Sequence, residues 1–242
     1  MKIREFLFAL LIFFSSFFAF AEKVNFISSE KSLSLVSGFS FQSNSDFEYS
    51  SSASDLSLDL NMTELFASVG CKFQSNQTDF STEIVYCPTF FDCFNAGAGH
   101  IFHVLHYNDL FNEYDFLTGL YLGYHSSKHF DCKLNLMWHA KAVEIFVIKD
   151  EVPWIKNSSF ACKTEFNFRP VENLKLSLSL SSYSPYRYML FFAPDLMLSC
   201  EYTFGQLISI GNQVEIQYID MFTLSSNFNS IDYRLYARLA IK

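Results

Sequence analysis

The chain has 242 residues, 50% hydrophobic and 19% aromatic, with 17% charged and a formal net charge of −8. That apolar content excludes extended disorder. An acidic chain without basic clusters is excluded as a nucleic-acid binder, because phosphate neutralisation needs Lys and Arg.

Thirty Phe and thirteen Tyr beside eight Gly and five Pro favour sheet over coil, in one large domain or two small ones. The chain opens with "MKIREFLFALLIFFSSFFAFAEK": a charged start at Lys2 and Arg4, an apolar run from Phe6, and Ala19-Phe20-Ala21 before Glu22. This is the layout of a secretory signal peptide over residues 1–21, with a small-x-small cleavage site. The alternative, an uncleaved anchor, is disfavoured because the apolar run is shorter than the ~20 residues of a spanning helix. No Cys comes directly after the site, so a lipid-anchored start is not indicated. Loss of Lys2, Arg4 and Glu5 leaves 15 basic and 24 acidic residues and a net charge of −9. No segment after residue 21 reaches 18 uninterrupted apolar residues, which removes a helical span from consideration.

Beyond the leader the chain alternates with period two. "SLSLVSGFSF" sets Leu33, Leu35, Phe39 and Phe41 against Ser32, Ser34 and Ser40, and "DLSLDLNM" sets Leu56, Leu58, Leu60 and Met62 against Asp55, Ser57, Asp59 and Asn61. Between them "QSNSDFEYSSSASD" (42–55) is Ser-rich and acidic and reads as a solvated loop. "ELFASVGCKF" alternates less cleanly, through Leu65, Ala67, Val69, Cys71 and Phe73. Further along come "FDCKLNLMWHA", "SFACKTEFNF", "NLKLSLSLSSYS" and "DLMLSCEYTF", and the chain closes on "SIDYRLYARLAIK". Segments of about ten residues with this period are strands with one apolar and one polar side. The apolar parity shifts between Met62 and Leu65 and again between Ala142 and Val143, each marking a bulge or a turn.

In the second half the connections alternate in length. Residues 126–129, 169–172 and 205–206 are short, whereas 149–158, 184–195 and 220–230 are long. That rhythm belongs to an antiparallel up-and-down meander. We expect an all-β, single up-and-down transmembrane β-barrel of about ten to twelve strands over residues 22–242, with twelve preferred because closed bacterial barrels take even numbers. The competing architecture is a secreted soluble β-sandwich or lipocalin-like binder with its apolar sides inward. Three features favour the membrane: polar sides of Ser, Asn and Thr rather than dense charge, strands of bilayer-crossing length, and aromatics gathered near strand ends. These include Phe39 and Phe41, Phe166 and Phe168, Tyr183 with Tyr186 and Tyr188, and Tyr202 and Phe204.

On this alternation and length, the chain after the signal peptide resembles bacterial outer-membrane β-barrel proteins as an architectural class, spirochaete-like barrels included. The resemblance implies an outer-membrane location, outer-membrane lipid as its surroundings, and the barrel-insertion machinery as a partner. In that class the machinery reads an alternating final strand ending in an aromatic. Tyr233, Leu235, Ala237, Leu239 and Ile241 match the alternation, while Lys242 departs from the aromatic end. The function expected is a narrow porin-like channel for small solutes or a non-conducting surface protein. Lumen-facing candidates, each on the polar phase of its strand, are Lys133, Lys163, Glu165, Lys175, Glu201, Glu215 and Arg234.

Other chemistry is weaker. Cys71, Cys132, Cys162 and Cys200 are in phase with apolar sides and read as small hydrophobes. Cys87 and Cys93 in "CPTFFDC" flank a Pro-containing turn and close a small disulfide loop if it folds back. His100, His103 and His106 share a face only on a helix, and on a strand His103 points the other way, so no metal site is expected. His125-Ser126-Ser127 resembles the His-x-Ser pair of outer-membrane lipid A deacylases, which implies a lipid-modifying enzyme as a further alternative. The trio borders an expected turn without an identifiable acid. Glu48 and Asp55 fall in the expected loop, Gly97 and Gly99 are too sparse for a phosphate-cradling loop, and no catalytic residue or cofactor is assigned. Intact-mass analysis of the exported protein is expected to show a chain beginning at Glu22; a mass retaining residues 1–21 would mean the leader is kept as an anchor.

Overall fold

The computed structural model describes residues 32–44, 49–62, 64–90, 93–108, 110–127, 129–146, 154–182, 194–205, 207–218 and 228–241. The expected signal peptide, Glu48, and the tyrosines at 183, 186 and 188 lie outside them. Twelve strands succeed one another in chain order: β1 (Ser32–Asn44), β2 (Tyr49–Asn61), β3 (Leu65–Gln74), β4 (Gln77–Tyr86), β5 (Phe94–Tyr107), β6 (Phe111–Ser127), β7 (Phe130–Ile145), β8 (Trp154–Val171), β9 (Leu174–Ser181), β10 (Asp195–Phe204), β11 (Ile208–Tyr218) and β12 (Phe228–Ile241). Each pairs antiparallel with its sequence neighbours, and β1 pairs with β12 from Leu33↔Ile241 to Asn44↔Ser230. The sheet is thus a closed barrel without an edge strand, although β8 extends past β9, which it meets from Lys163↔Ser181.

The alternation decides which way each side chain points. Leu176, Leu178 and Leu180 of β9 are 38–44% exposed on the outer surface, whereas Ser177 and Ser179 between them are 8% and 2% exposed inside. The same division runs through β12, where Tyr233, Leu235, Leu239 and Ile241 face out and Arg234, Tyr236 and Arg238 make their contacts inside. The greasy stripe therefore faces outward, which is the membrane arrangement and not that of a sandwich or lipocalin-like binder. Exposed aromatics stand near both rims. Phe39 and Phe41 meet edge to face at 4.7 Å towards one end, and Tyr202 and Phe204 do so at 4.8 Å towards the other. Cys71, Cys132, Cys162 and Cys200 keep the outward phase of their strands, and all six cysteines, Cys87 and Cys93 among them, are free thiols.

Two expectations are corrected. The Ser-rich stretch 42–55 is mostly strand: β1 continues to Asn44, β2 starts at Tyr49, and Gln42 lies across from Ser51. Serine is a poor predictor of a loop here because the barrel interior accepts small polar side chains, and Ser51 donates to Gln42 Oε1 at 3.2 Å. Second, β7 runs unbroken through Ala142 and Val143. Val143 points inward and is 2% exposed, so it is an apolar residue on the interior phase of an unbroken strand rather than a shift of parity. The parity change near Met62 is a turn, closed by Met62 N–H donating to Leu65 O at 2.8 Å.

At the end that holds both barrel termini, the connections are 62–64, 87–93, 128–129, 172–173 and 205–207. The opposite end carries the longer ones in the second half (146–153, 182–194, 219–227), but 75–76 and 108–110 there are as tight as turns. These tight hairpins hide the rhythm in the first half of the sequence. The β5–β6 hairpin turns on Asn108 at φ 44°, a left-handed position that Asn tolerates. Replacing Leu178 with Arg sets a charge on the lipid side near the middle of β9 and is expected to cost ~2–4 kcal/mol. Guanidinium unfolding from lipid vesicles measures it; an unchanged midpoint would place that face out of hydrocarbon.

Candidate functional site

The inward residues form the only extensive polar surface that the described strands enclose, and the candidate site is built from them. At the seam where the chain ends meet, β1 presents small groups inward: Ser34, Gly38 and Ser40. Longer side chains from β2 and β12 reach across it. Arg234 Nε donates to Asp55 Oδ2 at 2.9 Å, and its second nitrogen binds the other oxygen of the same carboxylate. A Cβ on Gly38 would lie 2.6 Å from Asp55 Oδ2 and 2.7 Å from Arg234 Nε, so glycine there is what allows the pair to form. Arg238 meets Asp59 at 3.4 Å and Glu201 at 3.6 Å, and Lys72 meets Asp232 at 3.4 Å. Tyr236 lies over Gly211, where a Cβ would overlap its ring, and donates to Glu201 Oε2 at 2.8 Å.

A second network sits on β5, β6 and β7. Asp115, fully buried, accepts from His139 Nε2 at 2.7 Å and His103 Nδ1 at 3.2 Å, and Lys141 Nζ donates to Glu113 at 2.6 Å and lies 3.6 Å from Asp115. Ser159 Oγ is 3.4 Å from His139 Nδ1. His100 and His106 are exposed on the opposite side of β5, so the three histidines do not converge. No group of three or more His, Cys, Asp or Glu is placed to hold a metal among the described residues. His125 is exposed near the β6–β7 turn at a register irregularity, and the side chains of Ser126 and Ser127 are not among those described.

The β4–β8 wall also carries an apolar cluster inside the barrel. Val85, Leu117, Tyr121, Met137 and Ala161 pack together with Phe66, Cys87 and Ile101 against them. The polar phase of these strands is interrupted by large apolar residues, and the space left beside them forms two cavities. The larger, of about 430 Å3, is lined by Asp55, Lys72, Asp79, Glu83, Glu215 and Arg234, with Asp232 and several serines. The smaller, of about 200 Å3, lies against Leu117, Met137, Ala161, Lys163 and Met197. Ile101, Glu83 and Glu215 border both.

Of the lumen candidates read from sequence, Glu215 and Arg234 line the larger cavity, and Lys163 and Glu215 the smaller. Lys133 stands opposite Glu165, and Lys175 opposite Glu201, in the strand register towards the tight-turn end. Glu165 also meets Lys163 at 3.8 Å and accepts from Asn167 at 2.8 Å. Sequence reading missed Asp55, assigned to a loop, and Lys72, Glu83 and Asp232. Their alternation with outward residues such as Cys71, Ile84 and Tyr233 was the available signal.

No protein-family model matches the chain, and no curated protein does. Solved structures share the fold at low identity. The NanC porin superposes with a TM-score of 0.63 at 13% identity, over 86% of this chain and all of that one. The KdgM porin, solved in complex with disordered oligogalacturonate, gives 0.57 at 10% over 86% and 99%. The COG4313 outer-membrane channel of Pseudomonas putida F1 gives 0.57 at 8% over 90% and 98%. The chain has the fold of outer-membrane β-barrels.

Replacing Asp55 with Ala removes the acceptor of Arg234 and is expected to destabilise the barrel by about 1.5–3 kcal/mol. Adding Arg234→Leu is expected to recover part of that loss, because the stranded charge goes with it. Unfolding midpoints of the two single variants and the double variant measure the coupling, and additive effects would show that the seam pair contributes nothing.

Proposed function

We propose that this protein is an outer-membrane barrel that passes small polar solutes through its interior. The observation that carries the reading is the joint arrangement of an apolar outer belt and two adjoining cavities lined by Ser, Asp, Glu, Lys and Arg. A barrel that merely sealed itself would have no use for unfilled polar space at its centre. Likeness in fold to the NanC and KdgM porins and the COG4313 channel supports the same reading. The alternating last strand, Tyr233 to Ile241, suits recognition by the barrel-insertion machinery, which is the partner we assign.

One observation favours a second reading, a non-conducting surface protein. The cluster of Leu117, Tyr121 and Met137 occupies lumen that a wide pore would leave to water. The two readings differ in a single measurement. Protein extracted with detergent from the outer-membrane fraction, with heat-dependent gel mobility, is expected to produce discrete conductance steps in planar bilayers. Met137→Ala is expected to enlarge those steps by opening the narrow side. Silent bilayers with correctly folded protein would select the surface-protein reading, and recovery of the protein in the aqueous fraction would overturn both.

A further inference from the structure

The lining of the two cavities is chemically lopsided, and the imbalance lies in which charges have partners. Each basic side chain that lines either cavity is already neutralised: Lys72 by Asp232 at 3.4 Å, Lys163 by Glu165 at 3.8 Å, and Arg234 by the two oxygens of Asp55. His103 rests on Asp115 at 3.2 Å. Glu83 and Glu215, which border both cavities, have no Lys or Arg nitrogen at ion-pair distance among the described residues; Lys163 and Lys133 act on Glu83, and Lys72 and Lys163 on Glu215, from farther away. Glu83 accepts a hydrogen bond from Tyr121 Oη at 3.1 Å, a neutral donor. Glu215 stands directly across from Asp232 on β12 and from Met197 on β10. A carboxylate opposite a carboxylate is an unfavourable cross-strand pair; Lys72 meets the Asp232 side of it, and a mobile cation meets the Glu215 side.

The other half of the lining is apolar. Leu117 is fully buried, Met137 4% and Ala161 1% exposed, and with Ile101 and Met197 they wall the smaller cavity, which both carboxylates border. A hydrated inorganic ion gains nothing from that wall. A solute with a cationic head and an apolar body meets complementary surface at both ends.

We propose that the lumen selects small organic cations, an ammonium head carried on an apolar body, with the head at Glu83 and Glu215 and the body against Leu117, Met137 and Met197. The proposal rests on the pore reading. A ring of acidic groups at a narrow passage raises the local concentration of cations and excludes anions of the same size.

The test is a matched pair of probes in planar bilayers holding the full mature chain. Reversal potentials measured with phenethylammonium chloride and with sodium phenylacetate give the permeability ratio of a cation and an anion with the same ring. The ratio is expected to favour phenethylammonium by about tenfold or more, and to fall towards one in Glu83→Gln/Glu215→Gln. Phenethylammonium is also expected to block the potassium current at about tenfold lower concentration than methylammonium, the difference reporting the apolar wall. A ratio near one, or favouring phenylacetate, in the wild-type protein overturns the proposal while leaving a pore. Equal block by the two amines removes the apolar body from it. If the double variant does not insert, Glu215→Gln alone tests the same carboxylate, and an unchanged ratio there counts against the assignment. Silence with every salt overturns the pore reading itself, and this proposal with it.

Discussion

Hydrocarbon offers no hydrogen-bond partners, and the architecture derives from that one constraint. Each backbone N–H and C=O within the apolar belt has to be satisfied by the chain itself. Twelve strands paired in sequence order, with β12 returning to β1, meet this requirement without leaving an edge. Closure has a second consequence. Because side chains alternate, one set is turned to lipid and the other is confined inside, so Leu178 and Ser179, adjacent in sequence, occupy solvents of opposite character.

Confining the polar set creates the next problem, which is how to fill and neutralise an interior of fixed size. The seam solves it by complementing long residues with short ones. Gly38 leaves the room that Asp55 and Arg234 occupy, and Gly211 leaves room for the Tyr236 ring. The Arg234–Asp55 and Arg238–Asp59 contacts join residues 179 apart in sequence, linking the side chains of the two ends of the chain as the backbone ladder links their strands. On the far wall the solution is different: Leu117, Met137 and Ala161 pack as a small core inside the barrel. The interior therefore combines charged networks with one apolar cluster, and the remaining space lies between that cluster and the charged seam.

How much of this was legible depended on which surface a residue serves. Residues facing lipid obey one rule along the whole chain, so Leu174 to Leu180, the four in-phase cysteines and the final strand were readable from alternation alone. Residues facing inward obey local rules. Ser51 and Asp55 looked like loop because serine and acid are common in loops, yet a polar lumen accepts them on a strand. Val143 looked like a break in phase because it is apolar, yet it is buried on the interior side of β7. Of the candidate lumen residues, Glu215, Arg234 and Lys163 line cavities, whereas Lys72 was passed over on a strand read less cleanly and Glu83 on one whose alternation was not read.

The sequence by itself determined the strand period, the polarity of the outward face and, through both, the class of fold, because these are properties of consecutive residues. Tertiary structure alone decided the partners across the lumen. Asp55 and Arg234, or Glu83 and Glu215, lie on strands distant in sequence, and only the curvature and register of the closed sheet bring them to face the same space. Which charges cancel and which are left is a matter of distance, and alternation carries no information about distance across a barrel.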